Sequence, residues 1–217
     1  MNLPARLEQA KARLLDRVFG SECPPNLEYG HARILRQYPG VWLPYRVPGD
    51  LQHGWMPGYD ESLRPLLDSG LRDVHQFVWS SANLKASLEM GFSRVTAIGA
   101  PLLYLSTGVQ KPADEKSLVV FPFHTWERSS YDGDAVEIHK EYLESVLRIS
   151  ESFSSITVCL YWLQFASVEI RNVFLNKGLR VVTLGPRDGN PQFLWRFRNL
   201  VLGHEYVSSN HYSTAVF

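Results

Sequence analysis

The chain has 217 residues, few cysteines and no net charge at pH 7. Lysine plus arginine equals aspartate plus glutamate at 22 each, so no overall field draws the chain to nucleic acid. Cys23 lies before two prolines and Cys159 lies in a predicted core strand, and nothing in the sequence brings the two thiols together. Two reduced cysteines are typical of a cytosolic protein.

Long hydrophobic runs and targeting signals are also missing. No apolar run approaches the roughly 18 residues that a membrane span needs. Residues 1–20 carry charges throughout, unlike a secretion signal. Pro4 to Phe19 instead predicts an amphipathic helix, whose basic face we interpret as solvent-exposed, with a membrane-surface role as the alternative. We expect a cytoplasmic protein with, at most, peripheral membrane association.

Several motifs that would identify a chemistry are absent. The sequence has no HxH, HExxH or CxxC spacing, which disfavours a structural zinc site or a zincin site. It has no GxSxG and no P-loop, which weakens hydrolase and nucleoside-triphosphatase interpretations. No GxGxxG follows the first strand of the later alternating region, so the dinucleotide fingerprint is missing. We therefore predict neither a metal nor a cofactor.

Hydrophobic residues make up 45% of the chain, which is ordinary for a globular protein, and their pattern predicts α/β structure. In the first half, residues 28–37 predict a helix, and a short strand ends at Leu51 and Gln52. Residues 74–98 then predict a strand, a helix opened by Ser80 or Ser81, and a second strand. Such a βαβ unit implies a parallel sheet with a right-handed crossover.

Strands and helices alternate regularly in the second half, after a polar linker. The predicted strands are residues 118–121, 156–161, 179–184 and 206–207, and the predicted helices are residues 134–149, 164–176 and 191–200. This order is a doubly wound, Rossmann-like pattern. We predict two Rossmann-like parallel-sheet domains: an abbreviated one at 1–104, a linker at 105–117, and a second at 118–217.

The first polar cluster at a predicted strand end is His53 with Gly54. Glycine lets the backbone turn sharply and lets a substrate approach the imidazole closely. A solvated histidine in a loop is the alternative.

The second cluster follows the strand that ends at Phe121 and contains His124, Glu127, Arg128 and Ser129. Loops at the carboxyl ends of parallel strands hold ligands in open α/β sheets, so we expect one wall of a ligand cleft here. Glu127 and Arg128 could equally form a surface ion pair of little energetic consequence.

The third cluster lies at the end of the chain, where we expect the start of a helix. Its members are Ser208, Ser209, Asn210, His211, Ser213 and Thr214. Hydroxyls and backbone N–H groups at a helix N-terminus suit an anion such as phosphate, and simple helix capping is the alternative. A helix beginning there would on average continue past Phe217, so we expect a truncated chain or a short relative of a longer one.

Three segments together resemble the GT-B glycosyltransferases, and most closely the bacterial capsule and Kdo-type transferases and the glycerophosphotransferases of teichoic acid synthesis. The segments are QHG at residues 52–54 with VWSSANLKASLEMGFSRVTAIGAP at 78–101, FPFHTWERSS at 121–130, and SSNHYSTAVF at 208–217. The resemblance covers roughly residues 51–217. The part before His53 is shorter than the family's N-terminal domain, and the chain stops before the family's closing helices.

The resemblance implies a metal-independent transferase that uses a nucleotide-activated donor and a polysaccharide or lipid-linked acceptor. It implies that His53 is the general base or an acceptor-site residue. It implies donor contacts from the other two clusters, namely His124, Glu127, Arg128, Ser208, Ser209, Asn210, Ser213 and Thr214. Two alternatives stay open: a degenerate relative that only binds a nucleotide or a partner, and a nucleotide-sugar epimerase of the same architecture.

Overall fold

The computed structural model describes residues 29–37, 49–52, 72–105, 115–124, 133–187 and 190–209. These residues divide between two compact units. The first unit contains the described residues from 29 to 105 together with 187 and 190–194. The second unit contains the described residues from 115 to 186 together with 195–209. The domain limits drawn from the sequence stay a prediction.

The first unit is built on a small parallel sheet with the strand order β1-β2-β3. Its elements are α1 (His31–Gln37), β1 (Asp50–Leu51), β2 (Gln76–Val78), α2 (Ser81–Glu89), β3 (Val95–Ala97) and a 3-10 turn (Pro101–Tyr104). The Ser80 hydroxyl accepts a hydrogen bond from the backbone N–H of Asn83, as expected of an N-cap. Gly91 follows the helix with a φ of +97°, where glycine carries no steric penalty. The predicted βαβ unit is confirmed.

The second unit contains a four-stranded parallel sheet with the order β6-β5-β4-β7. The strands are β4 (Ser117–Phe121), β5 (Ser155–Cys159), β6 (Arg180–Val182) and β7 (Tyr206–Ser209). The helices are α3 (Ala135–Ile149), α4 (Trp162–Ala166), α5 (Val168–Leu175) and α6 (Phe193–Leu202), with a 3-10 turn at Ser150–Ser152. The first two residues of α6 belong to the first unit. The predicted α/β class, with parallel sheets in both halves, is confirmed.

Apolar side chains pack on both faces of the second sheet, which explains why the sequences of its central strands are nearly continuous hydrophobic runs. On one face, Val120 and Val158 are almost fully buried in a cluster that includes Phe174 of α5. On the other face, the rings of Phe121 and Phe197 lie 5.7 Å apart, centroid to centroid. Phe197 belongs to α6, so helices pack on opposite faces as a doubly wound sheet requires.

The segment predicted as one helix over residues 164–176 is two helices, and that prediction was wrong. The chain breaks at Ser167, whose ψ of 118° is extended rather than helical. The Ser167 hydroxyl caps the new helix by accepting from the N–H of Ile170. The Arg171 guanidinium donates to the carbonyl of Phe165 at 2.6 Å, so it holds the first helix against the second.

Candidate functional site

The direction of chain connection reverses between β4 and β7 in the second unit. From β4 the chain proceeds outward to β5 and β6, and it then returns to place β7 on the other side of β4. Crevices at the carboxyl ends of such a pair are where ligands bind in open α/β sheets. We call this end of the sheet the carboxyl edge, defined by His124 after β4, Tyr161 after β5, Gly185 after β6 and Ser209 at the end of β7.

Strand pairing brings two of the predicted site residues to this edge. Ser208 pairs with Val120, and Ser209 pairs with Phe121. Neighbouring strands lie about 4.8 Å apart. His124 follows Phe121 by three residues, so their Cα atoms are at most about 11 Å apart. His124 and Ser209 therefore lie at the same end of two adjacent strands.

The His124 imidazole is held against an aromatic ring. It stacks on Tyr161 with ring centroids 4.3 Å apart and an interplanar angle of 14°. Tyr161 is the residue before α4 and lies two residues after the buried end of β5 at Cys159. Pro122 is buried beside β4, while the ring of Phe123 is 54% exposed. The stack fixes the plane in which the two imidazole nitrogens lie.

Sequence reasoning missed Tyr161. The available signal was an aromatic residue at the carboxyl end of the predicted strand 156–161, where a parallel sheet places ligand-facing residues.

Ser208 and Ser209 belong to a strand, which corrects their predicted place at the start of a helix. β7 runs to Ser209, two residues further than predicted, because both serines pair with β4. Ser208 is exposed. The Ser209 hydroxyl oxygen is buried and has no hydrogen-bond partner in the described part of the chain. A buried hydroxyl of this kind is unusual, because most buried polar atoms in proteins are hydrogen-bonded.

The N-terminus of α3, which follows β4 along the chain, is not suited to an anion. The Asp134 carboxylate already accepts from the backbone N–H of Val136 at 2.8 Å. Glu137 adds a second carboxylate in the first turn. Two negative side chains already complement the positive end of the helix dipole there.

The turn after β6 is stabilised by a hydrogen bond between two of its own residues. The N–H of Gly185 donates to the Thr183 hydroxyl at 3.2 Å, and Gly185 has a φ of +83°. The backbone here turns in a conformation that favours glycine.

The Cys159 thiol at the end of β5 is unsuited to nucleophilic chemistry. It is buried, and burial raises its pKa to about 12. The thiolate is the reactive form, so the thiol is inert near neutral pH.

Several predicted site residues fall outside the described ranges: His53, Gly54, Glu127, Arg128, Asn210, Ser213 and Thr214. The strand end that precedes His53 is described. The Gln52 side-chain oxygen accepts from the backbone N–H of Trp79, and its carbonyl accepts from the Trp79 indole N–H, both at 2.8 Å. Gln52 thus joins the ends of β1 and β2 and sets the point from which His53 departs.

Within the described ranges, no three His, Cys, Asp or Glu side chains group closely enough to hold a metal ion. The same part of the chain contains no helix that is both long and apolar enough to cross a membrane.

The chain was compared with models of protein families, with curated proteins and with solved structures, and it matches none of them.

Proposed function

We propose that the chain binds a nucleotide-activated donor at the carboxyl edge and transfers a glycosyl or polyol-phosphate group to a polysaccharide or lipid-linked acceptor. The observation that carries the proposal is the placement of His124 and Ser209 at the ends of β4 and β7, the two strands that flank the reversal. A GT-B-like arrangement and a cytoplasmic location are parts of this proposal.

The two side chains have chemistry that suits a phosphorylated donor. An imidazole N–H donates to phosphate oxygens, and its protonated form adds a positive charge. A serine hydroxyl donates one hydrogen bond, and the Ser209 hydroxyl has no competing partner in the described structure. Donors aimed at a leaving diphosphate stabilise the charge that develops as the glycosyl bond breaks. His124 and Ser209 would therefore act on the donor side.

Proton removal from the acceptor hydroxyl is assigned to His53. An imidazole titrates near neutral pH, which suits a general base in the cytoplasm. The two hydrogen bonds between Gln52 and Trp79 support the assignment, because they fix the backbone from which His53 departs.

The first test is calorimetric titration with UDP, GDP, CDP and CMP. We expect at least one to bind, and we expect His124→Ala and Ser209→Ala to weaken that binding by roughly 10- to 100-fold each. That range corresponds to one lost hydrogen bond to a charged group. Ser152→Ala is the matched serine control, because Ser152 lies in the turn before β5, at the amino end of that strand. His75→Ala is the matched histidine control, because His75 belongs to the first unit. Absence of binding, or equal binding by all five proteins, would contradict the proposal.

The second test separates transfer from binding alone. We expect His53→Ala to abolish transfer to an acceptor while leaving the affinity for the nucleotide unchanged. Tight nucleotide binding by the wild-type chain with no transfer to any acceptor would favour the degenerate binding relative. Conversion of a nucleotide sugar without an acceptor would favour the epimerase.

A further inference from the structure

Phe123 carries an exposed phenyl ring at the carboxyl edge of the second sheet. It is 54% exposed, the largest exposed fraction of any phenylalanine, tyrosine or tryptophan in the described ranges. Exposure of a large aromatic ring gives up part of the stabilisation that its burial would provide. About half of the surface of this ring is instead accessible to a ligand.

The backbone of Phe123 lies between two residues that packing holds in place. Pro122 is buried beside the end of β4, and its pyrrolidine ring restricts its own φ. On the other side, the His124 imidazole stacks on Tyr161 with ring centroids 4.3 Å apart. The exposed ring of Phe123 is therefore attached at a fixed point of the carboxyl edge, next to the histidine assigned to the donor.

We propose that the nucleobase of the donor stacks on the ring of Phe123, an inference that rests on the proposed function and names the base-binding residue of the same site. A nucleotide-activated donor consists of phosphates, a ribose, the group to be transferred and a flat aromatic base. The phosphates are assigned to His124 and Ser209. Consecutive Cα atoms are about 3.8 Å apart, so a ligand whose phosphate contacts His124 has its other parts close to Phe123. The base is the part of the donor that has an aromatic face, and bases bind proteins by stacking on aromatic side chains.

The two neighbouring side chains have complementary chemistry. The imidazole nitrogens of His124 lie in the ring plane and can donate to phosphate oxygens, while Tyr161 covers one face of the ring. The phenyl ring of Phe123 has neither a donor nor an acceptor, so it contributes nothing to phosphate binding. Stacking alone accepts every base, because every base has an aromatic face. Phe123 should therefore strengthen the binding of any nucleotide, and the choice among bases is made by other residues.

Calorimetric titration of the full chain with pyrophosphate and with UDP, GDP and CDP tests the assignment. For whichever nucleotide binds best, Phe123→Ala should weaken binding by about 5- to 150-fold, the range for loss of one base–aromatic stack. The affinity for pyrophosphate should stay unchanged in this variant, whereas His124→Ala should weaken the binding of both ligands. Tyr206→Ala is the matched control, because Tyr206 is a 47% exposed aromatic residue of the same sheet at the amino end of β7.

Ribose 5-phosphate separates the base from the ribose, because it carries a hydroxyl in place of the base. It should displace pyrophosphate equally well from the wild-type chain and from Phe123→Ala. Two further variants test whether a flat ring is needed. Phe123→Tyr keeps the ring and should bind the nucleotide like wild type, whereas Phe123→Leu keeps an apolar side chain without a ring and should lose most of the affinity. Since Phe123 is exposed, thermal unfolding should show similar stability for all of these variants.

Equal nucleotide affinity of the wild-type chain and Phe123→Ala, with His124→Ala still weaker, would overturn this inference and leave the proposed function standing. An equal loss of affinity for pyrophosphate and nucleotide in Phe123→Ala would overturn it as well, because the variant would then disturb the phosphate site. Absence of any nucleotide binding by the wild-type chain would refute the proposed function and this inference together.

Discussion

Replacing Ser209 with alanine should make the ligand-free protein more stable, although it weakens nucleotide binding. The hydroxyl oxygen of Ser209 is buried at the end of β7 and has no partner in the described structure. A buried hydroxyl that is hydrogen-bonded only when a ligand is present destabilises the ligand-free protein. Removal of the hydroxyl should therefore raise the free energy of unfolding of the ligand-free protein.

The magnitude follows from the desolvation of one hydroxyl group. A buried donor or acceptor without a partner costs about 1–3 kcal/mol. Alanine fits a strand less well than serine does, which offsets a few tenths of a kcal/mol on a scale that spans about 1 kcal/mol. We expect the free energy of unfolding to rise by about 1 kcal/mol, which is a rise of about 2–4 °C in Tm for a chain of this size.

Thermal unfolding of the two proteins measures this difference. Ser208→Ala is the matched control, because Ser208 is its exposed neighbour on the same strand and should leave Tm unchanged. With a saturating nucleotide, the order should reverse, because ligand stabilises the wild-type protein more than the variant. A Ser209→Ala variant that is less stable than wild type without ligand would refute the reasoning, since the hydroxyl would then make a stabilising bond.

Three further predictions concern the scaffold. A Cβ atom at Gly30, which has a φ of +75°, would lie 2.8 Å from the Cα of Pro191, so Gly30→Ala should lower stability by roughly 2–4 kcal/mol in urea unfolding. Gly178 has the same φ but open space around it, so Gly178→Ala should lower stability clearly less. An equal loss of stability in the two variants would show that the contact with Pro191 is unimportant. Burial lowers the pKa of His139 below 6.5. As the pH falls, the unfolded chain therefore binds a proton at this histidine before the folded protein does. The free energy of unfolding should fall below about pH 6.5, by at most about 1.4 kcal/mol per pH unit. Urea unfolding between about pH 7.5 and about pH 5.5 should show a smaller slope for His139→Gln, and an identical slope would contradict this. Cys159, with its pKa raised to about 12, should react with iodoacetamide only after unfolding, and its modification in the native protein, mapped by mass spectrometry, would contradict its burial.

The strands that were easiest to predict are those buried on both faces. Residues 118–121 and residues 156–159 are apolar almost without interruption, and both lie in the centre of the second sheet. Helical periodicity between them predicted α3, and Asp134 marked its start correctly. Local composition was sufficient here because burial, strand propensity and capping all favour the same structure.

The missed features have two different causes. The apolar periodicity of residues 164–176 continues across Ser167, where the Ser167 cap and the bond from the Arg171 side chain back to the Phe165 carbonyl accompany the break. These contacts are local, but apolar periodicity alone does not reveal them. By contrast, two serines seldom predict a strand, and Ser208 and Ser209 extend β7 because the distant strand β4 supplies their backbone partners. Tertiary context overrode local preference at β7.

The candidate site could not be found by motif for a related reason. His124 and Ser209 come from opposite ends of the second unit, and they become neighbours only because β7 returns to the free side of β4. A return to that side requires the connection through α6 to pack on the face opposite to the core around α3 and α5, as the contact between Phe121 and Phe197 shows. The return of the chain to the free side of β4 therefore brings Ser209 to the carboxyl end of the strand beside β4. Any sequence that keeps this strand order can supply different side chains at the same two positions, so the order of the strands, rather than a local pattern of residues, determines where chemistry can occur.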